Sequence, residues 1–232
     1  MTEICLFNPT ELAMIKLYGT PPTRALRAIW LLNELGLDYE MHPVSIVDSE
    51  NRQPDFLALN PAAKVPVLVD GSLVVTESAA IQLYLAEKYP QAGFIPESVE
   101  DRAQMYRWIF FLMTEIEQPL WRIARQTFLY PPEKRLPQDV ELARQECLEM
   151  VAVLDRHMQD RAFIVADQVS VADFNAAYTL DWADEEQLLE DAPRLKAYLT
   201  SMYARPKAPP RIAEAPAPPD NHAVLGGAVV AG

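Results

Sequence analysis

The sequence predicts an α+β protein in which a small domain of mixed secondary structure precedes an all-helical domain. Between residues 14 and 90 the apolar residues follow strand and helix spacings in the order βαβ and then αββα, whereas beyond residue 99 they recur only at helical spacing. Half of the 232 residues are hydrophobic and 23% are charged, which supports one or two packed domains and is unlike a disordered or fibrous chain.

The first three elements form the βαβ half of the small domain. The apolar run at 14–18 predicts a strand, and Thr20-Pro-Pro-Thr23 then predicts a helix start, because proline is tolerated in a first turn whose N–H groups have no intrahelical partner. Thr20 is the expected N-cap. Apolar residues recur at helical spacing over 26–35, and Gly36 ends the helix. A second strand is expected at 38–45.

The αββα half follows directly. A short helical turn is expected at 55–59, and two β-branched runs at 65–75 are joined by Asp70-Gly71, a dipeptide that suits a tight hairpin turn. An amphipathic helix is predicted at 77–89, because its apolar positions follow helical spacing and Pro90 stops it.

The remainder of the chain predicts a helical domain. Apolar residues step by three and four over 140–158, and Ser170 with Asp173 matches a capping box, in which each residue satisfies a backbone group of the other at a helix start. Composition then sets the domain boundaries. We predict an N-terminal extension at 1–13, the mixed domain at 14–90, a linker at 91–99, the helical domain at 100–208 and a flexible tail rich in proline and alanine at 209–232.

Charge and motif content exclude several function classes. The net charge of −13 disfavours nucleic acid or an anionic membrane surface as a partner. No apolar run approaches the roughly 18 residues of a membrane span, and no secretory signal pattern is present, so we expect a cytoplasmic protein. Cys5 and Cys147 are the two cysteines, and the histidines show no metal-ligand spacing, so we expect no metal. Dinucleotide and P-loop glycine motifs are absent from the sequence.

Four segments together carry a resemblance to a known family. They are LYGTPPTRALRAIWLLNELGLDYE, NPAAKVPVL, TESAAIQLYLAEKYP and SVADF. In this order and spacing the sequence resembles the cytosolic glutathione S-transferases over residues 15–203, and within them a serine- or theta-like bacterial or fungal type with threonine in place of the catalytic serine. The resemblance implies a thioredoxin-like glutathione-binding domain, a helical substrate-binding domain, glutathione as co-substrate, no metal, and a homodimer.

The resemblance also implies where glutathione binds. Val65-Pro66 is the position of a cis peptide bond, which would present the Val65 backbone to the cysteinyl part of glutathione. Ser78 and the adjacent helix N-terminus would hold the γ-glutamyl carboxylate, and Glu77 its ammonium group. Lys64 would neighbour the glycyl carboxylate, with Gln53 as a weaker candidate. The alternatives are a helix cap at Ser78 and a solvated loop lysine at Lys64.

A hydroxyl near the start of the first helix is expected to stabilise the thiolate of glutathione. Thr23 stands where related S-P-x-S-R motifs have their second serine, and Thr20 stands where they have the first. Tyr18 occupies the position of the tyrosine used by other classes, although a buried strand residue is the alternative there. Threonine departs from the serine pattern by being stiffer and bulkier, and Ala63 stands where a glycine is frequent.

An aromatic wall in the helical domain is expected to bind the second substrate. The candidates are Tyr106, Phe110, Met113, Trp121 and Phe128. We therefore expect a transferase whose bound thiolate attacks an electrophilic carbon or reduces a peroxide. The alternative is a noncatalytic module of the same fold that binds glutathione or protein partners.

Overall fold

Residues 14–216 are described by a computed structural model, which begins with a four-stranded mixed sheet. The strands are β1 (Ile15–Tyr18), β2 (Tyr39–His42), β3 (Val67–Asp70) and β4 (Leu73–Thr76), in the spatial order β2-β1-β3-β4. The β1–β2 pair is parallel, while β1–β3 and β3–β4 are antiparallel. The predicted hairpin is confirmed: Gly71 has a φ of 61°, the left-handed conformation that the tight turn requires.

Helices cover both faces of this sheet. They are α1 (Ala25–Leu35), α2 (Pro54–Leu59) and α3 (Ser78–Lys88). Leu17 and Leu68 are partners in the β1–β3 register and belong to the main core, which also contains residues of α1 and α3. Val67, one residue along, packs with Phe56 of α2 in a separate cluster. This alternation is the two-residue period of a strand.

The helical domain is built around one largely buried helix. Its elements are α4 (Val99–Phe111), a π-helical turn (Leu112–Ile116), α5 (Glu117–Ala124), a second π-helical turn (Arg125–Leu129), α6 (Pro137–His157), α7 (Val171–Glu185) and α8 (Pro193–Tyr203). Most of α7 is buried, and it packs against α1 and α3 of the first domain as well as α4 and α8. The predicted capping box is confirmed, with the Ser170 backbone N–H donating to Asp173 Oδ2 at 2.8 Å.

The start of α1 differs from the prediction. The helix begins at Ala25, and residues 21–24 form turns that contain a cis Pro21-Pro22 bond. Thr20 is therefore not the N-cap: its hydroxyl accepts from Val44 N at 3.0 Å and donates to Val44 O at 3.1 Å. The proline pair forms the connection before the helix and not its first turn.

The structure covers part of the predicted C-terminal tail but none of the predicted N-terminal extension. The predicted extension at 1–13 lies outside the described residues, as does the part of the tail after residue 216. The prediction of a flexible tail does not hold for residues 209–216, because Ile212 is buried and Arg211 pairs with Asp181 and Asp184 of α7. Within residues 14–216, no helix is long and apolar enough to cross a membrane, and no cluster of three or more ligand-type side chains could hold a metal ion.

Candidate active site

An open cleft separates the loops of the first domain from α5 and α7. It has two adjoining lobes that hold about 580 and 620 Å³ of space, open solvent at their mouths included, and both are lined by Arg24, Lys64, Val65 and Trp121. The polar lobe is additionally lined by Pro66, Glu77, Ser78 and Gln118. The aromatic lobe is additionally lined by Thr23, Ile46, Asn51, Ala63, Leu129, Tyr178 and Trp182.

The polar lobe combines a carboxylate with a helix N-terminus. Ser78 is the first residue of α3 and is buried, and its hydroxyl accepts a hydrogen bond from Arg27 Nη1 at 3.2 Å. Glu77 is exposed and has a φ of 66°, which is a costly conformation for a residue with a side chain. Such conformations cluster at active sites, ligand clamps and switch regions. A ligand here would meet an anion and free backbone N–H groups side by side.

The loop before β3 forms the floor that the two lobes share. The Val65-Pro66 peptide bond is cis, as the family resemblance implies. Lys64 is exposed, and its Nζ lies 5.5 Å from the ring centroid of Trp121 on the opposite wall of the cleft. Ala63 has a φ of 55°, which explains in physical terms why glycine suits this position.

The three candidate hydroxyls lie in different surroundings. Thr23 lines the aromatic lobe, but its hydroxyl donates to Thr20 O at 2.6 Å and accepts from Ala25 N at 3.3 Å. Thr20 is held by the backbone of Val44, as described above. Tyr18 stacks on His42, with ring centroids 4.5 Å apart, and packs in the cluster beneath α2. Of the three, only Thr23 lines either of the two lobes described above.

A buried ion cluster lies behind the polar lobe. Glu117 of α5 is paired with both Arg24 and Arg27, and Arg27 is completely buried. Burial alone would raise the pKa of Glu117, but the two guanidinium groups outweigh it and hold that pKa below its usual range. Arg27 Nη2 also donates to Thr179 Oγ1 of α7 at 2.6 Å. Through Arg27, the cluster thus connects Ser78 to α5 and α7 of the helical domain, and it orients the Ser78 hydroxyl.

The aromatic lobe differs from the predicted aromatic wall. Trp121 lines it, and the ring of Trp182 lies edge-to-face at 6.2 Å from Trp121. Tyr106, Met113 and Phe128 are partly buried against the main core, and Phe110 is 64% exposed. None of these four is among the residues that line the two lobes.

Two further differences concern polar side chains. Gln53 is exposed at the start of α2 and lines neither lobe, whereas Asn51, two residues earlier, lines the aromatic lobe. Asn51 Nδ2 donates to Ala63 O at 2.8 Å. A carbonyl can only accept, so the Asn51 amide nitrogen points toward Ala63 O and the amide oxygen points away from it. This buried oxygen has no hydrogen-bond partner among residues 14–216. Arg24 was also missed, since its partner Glu117 is 93 positions away in the sequence.

The fold and the cleft define the class of thioredoxin-like proteins that carry a second, helical domain. Residues 13–87 match the family model of the glutathione S-transferase N-terminal domain, and residues 116–206 match that of the C-terminal domain. The chain belongs to the glutathione S-transferase family.

Individual relatives agree with this assignment. Glutathione S-transferase 3 of Zea mays is 30% identical over 217 residues, covering 90% of this chain and 97% of the relative. The crystal structure of the glutathione transferase URE2P5 of Phanerochaete chrysosporium has a TM-score of 0.77 at 28% identity, covering 84% of this chain and 91% of that one. A glutathione S-transferase-I bound with lactoylglutathione has a TM-score of 0.72 at 26% identity, covering 84% and 97%.

Proposed function

We propose that this protein is a glutathione transferase that holds the thiolate of glutathione for attack on an electrophilic, apolar substrate. The polar lobe carries this proposal, because the Glu77 carboxylate and the N-terminus of α3 lie side by side there. They complement the ammonium and carboxylate of a γ-glutamyl group. The relative bound with lactoylglutathione supports a ligand of this type.

The proposed orientation of glutathione follows the cleft. The γ-glutamyl end lies against Glu77 and Ser78, and the cysteinyl part pairs with the backbone of Val65, which lines both lobes. The glycyl carboxylate lies toward Lys64. The sulfur then faces the start of α1, where Thr23 is the hydroxyl within the aromatic lobe. To donate to sulfur, Thr23 must release the Thr20 carbonyl.

The proposed reaction needs no covalent bond to the protein. The thiol proton passes to solvent. The thiolate then attacks an electrophilic carbon held beside Trp121 and Trp182, and a C–S bond forms as the leaving group departs with its electron pair. With a peroxide, the thiolate attacks one oxygen, the O–O bond breaks and the departing oxygen takes a proton from solvent; a second glutathione thiol then converts the glutathione sulfenic acid to the disulfide with loss of water. Holding the two reactants together in one cleft supplies part of the rate enhancement, and a lowered thiol pKa supplies the rest.

Assembly, subgroup and compartment are parts of the same proposal. We propose a homodimer of the serine- or theta-like type in which threonine replaces serine. Phe110 on α4 and the edge-strand residues Leu73 and Val74 are exposed apolar side chains that suit a self-association surface, and sedimentation of the full chain measures the dimer. The free, buried thiol of Cys147 is consistent with a reducing cytoplasm.

Calorimetry with glutathione and two variants tests the binding site. We expect saturable binding to the unaltered protein and a roughly tenfold loss of affinity for Glu77→Gln, because one charge-assisted hydrogen bond to the ligand ammonium disappears. Glu97→Gln is the matched control, since Glu97 is exposed in the segment before α4 and lines neither lobe. Equal affinity of the two variants would contradict the assignment of Glu77.

Thiolate absorbance separates the enzyme from the noncatalytic module. Ionisation of bound glutathione near neutral pH, together with conjugation of an aromatic halide or reduction of a peroxide, supports the transferase. Binding without ionisation or turnover supports a noncatalytic module instead. No binding at millimolar glutathione would exclude both the transferase and a glutathione-binding module, and would favour a module that binds protein partners.

A further inference from the structure

Arg24 lies at the junction of the two lobes and lines both of them. Its Nε donates to Glu117 Oε1, and this is the one hydrogen bond that its side chain makes within residues 14–216. The guanidinium carbon lies 5.1 Å from the Trp121 ring centroid and 6.0 Å from that of Trp182. The terminal amino groups of Arg24 are therefore donors that a ligand at this junction can engage.

The charges around this junction leave a positive excess. Glu117 is one carboxylate shared by two arginines, so Arg24, Arg27 and Glu117 together carry one net positive charge. Lys64 from the loop before β3 and Glu77 from the turn before α3 offset each other. Tyr178 of α7 stays neutral, because burial raises its pKa. An anion at the junction would compensate a partly buried charge that is otherwise costly.

The hydroxyl groups are less suited to this role. Stabilising a thiolate requires a donor, and the hydroxyl protons of Thr20 and Thr23 are directed at the carbonyls of Val44 and Thr20. Each would have to give up a backbone hydrogen bond before it could donate to sulfur. The guanidinium of Arg24 needs no such change, and a charged donor is stronger than a neutral one.

We propose that the Arg24 guanidinium, more than any hydroxyl, lowers the pKa of the bound glutathione thiol by facing the thiolate sulfur. This inference rests on the proposed function, since it assumes that glutathione occupies the cleft. The thiol loses its proton to solvent, and the negative charge left on sulfur is balanced by the positive excess of the Arg24, Arg27 and Glu117 cluster.

The test titrates the thiolate absorbance of glutathione bound to variants of the full chain. We expect Arg24→Gln to raise the pKa of the bound thiol by one to two units, so that the thiolate fraction near neutral pH falls about tenfold or more. Arg24→Lys should recover part of the effect, because it keeps the charge without the planar donors. Arg107→Gln is the control: Arg107 is exposed on α4, outside the cleft, and should change nothing.

A second ligand separates thiolate stabilisation from simple binding. S-methylglutathione keeps both carboxylates but has no ionisable sulfur. If Arg24 faces the thiolate, Arg24→Gln weakens glutathione binding above neutral pH while leaving S-methylglutathione nearly unaffected. Equal weakening of both ligands with an unchanged thiol pKa would overturn the inference and assign Arg24 to a carboxylate.

Thr23→Val supplies the competing result. If this variant abolishes ionisation while Arg24→Gln retains it, the hydroxyl is the dominant group and the inference is wrong. Both outcomes differ from failure of the proposed function, in which the unaltered protein neither binds nor ionises glutathione. Arg24→Gln leaves Glu117 paired with Arg27, and circular dichroism verifies that the variant is folded.

Discussion

Glu117 is the residue on which the interdomain polar cluster depends. It is 3% exposed and is the only carboxylate within residues 14–216 that forms ion pairs with Arg24 and Arg27. A buried ion pair contributes little net stability when it is complete, but removing one partner leaves an uncompensated charge. The completely buried Arg27 has no route to solvent, so it would carry most of that cost.

Glu117→Gln should therefore lower the free energy of unfolding by about 3 kcal/mol at neutral pH. Urea denaturation measures this change, and Glu149→Gln, an exposed carboxylate of α6, is the control that should change it by less than about 0.5 kcal/mol. A loss for Glu117→Gln no larger than the control would show that the two arginines find other partners.

The pH dependence of that loss follows from the direction of the pKa shift. The pKa of Glu117 is lowered in the folded protein, so its stabilising contribution is complete above the unfolded value of 4.5 and disappears as the pH falls through the folded value. The difference in stability between the unaltered protein and Glu117→Gln should thus be constant from pH 7 to about pH 5 and narrow only below pH 4.5.

At the scale of elements, local sequence signals predicted structure wherever the physics itself is local. Asp70-Gly71 predicted the hairpin and Ser170 with Asp173 predicted the start of α7, because turn and cap chemistry involve residues that are adjacent along the chain. The helix start predicted from Thr20-Pro21-Pro22 was wrong, because a first helical turn and a turn before a helix share this composition. In the structure the Thr20 hydroxyl bonds to the backbone of Val44, which is distant in the sequence.

Four of the five residues predicted for the aromatic wall do not line the two lobes, and their role in binding a second substrate stays a prediction. Tyr106 and Phe110 lie on α4, Met113 lies in the π-helical turn at Leu112–Ile116, and Trp121 follows on α5. One extra residue in a turn rotates the following side chains by about 100° around the axis. The face of α4 therefore does not continue into α5, and Trp121 reaches the cleft while the earlier residues do not.

The capping box gives a prediction at this scale. Ser170→Ala should cost about 1 kcal/mol. Asp173→Ala should cost about 3 kcal/mol or more, because Ile164 N, Ser170 N and Tyr198 Oη all donate to its buried carboxylate. Urea denaturation gives both values, and Thr200→Ala on the exposed face of α8 is the control. Equal losses at Ser170 and Asp173 would mean that the carboxylate acts only as a cap.

At the scale of the whole molecule, the domain order was predictable from the change in hydrophobic period, but the cleft was not. The cleft needs α5 and α7 to face the loops of the first domain, and this placement depends on contacts between residues far apart in the sequence. Two of these contacts are the ion pair of Arg24 with Glu117 and the hydrogen bond that Tyr178 Oη donates to Pro22 O at 3.1 Å. The sequence around each of these residues contains no local pattern that indicates its partner.

Further contacts join the two domains. Trp30 of α1 packs on Phe174 of α7 and Tyr203 of α8, with centroids 5.6 and 4.9 Å apart, and the main core contains residues of both domains. Arg205 adds two hydrogen bonds to Glu34 across the boundary. Separating the domains would expose this apolar surface and leave the charges of the cluster around Glu117 without their partners.

We therefore expect a single cooperative unfolding transition, with the same urea midpoint by far-ultraviolet circular dichroism and by tryptophan fluorescence at one protein concentration. Glu34→Gln should lower both midpoints equally, because the ion pair with Arg205 stabilises the joined domains rather than either one alone. Two separate transitions, or a Glu34→Gln variant that shifts only one probe, would show that the helical domain folds independently of the sheet.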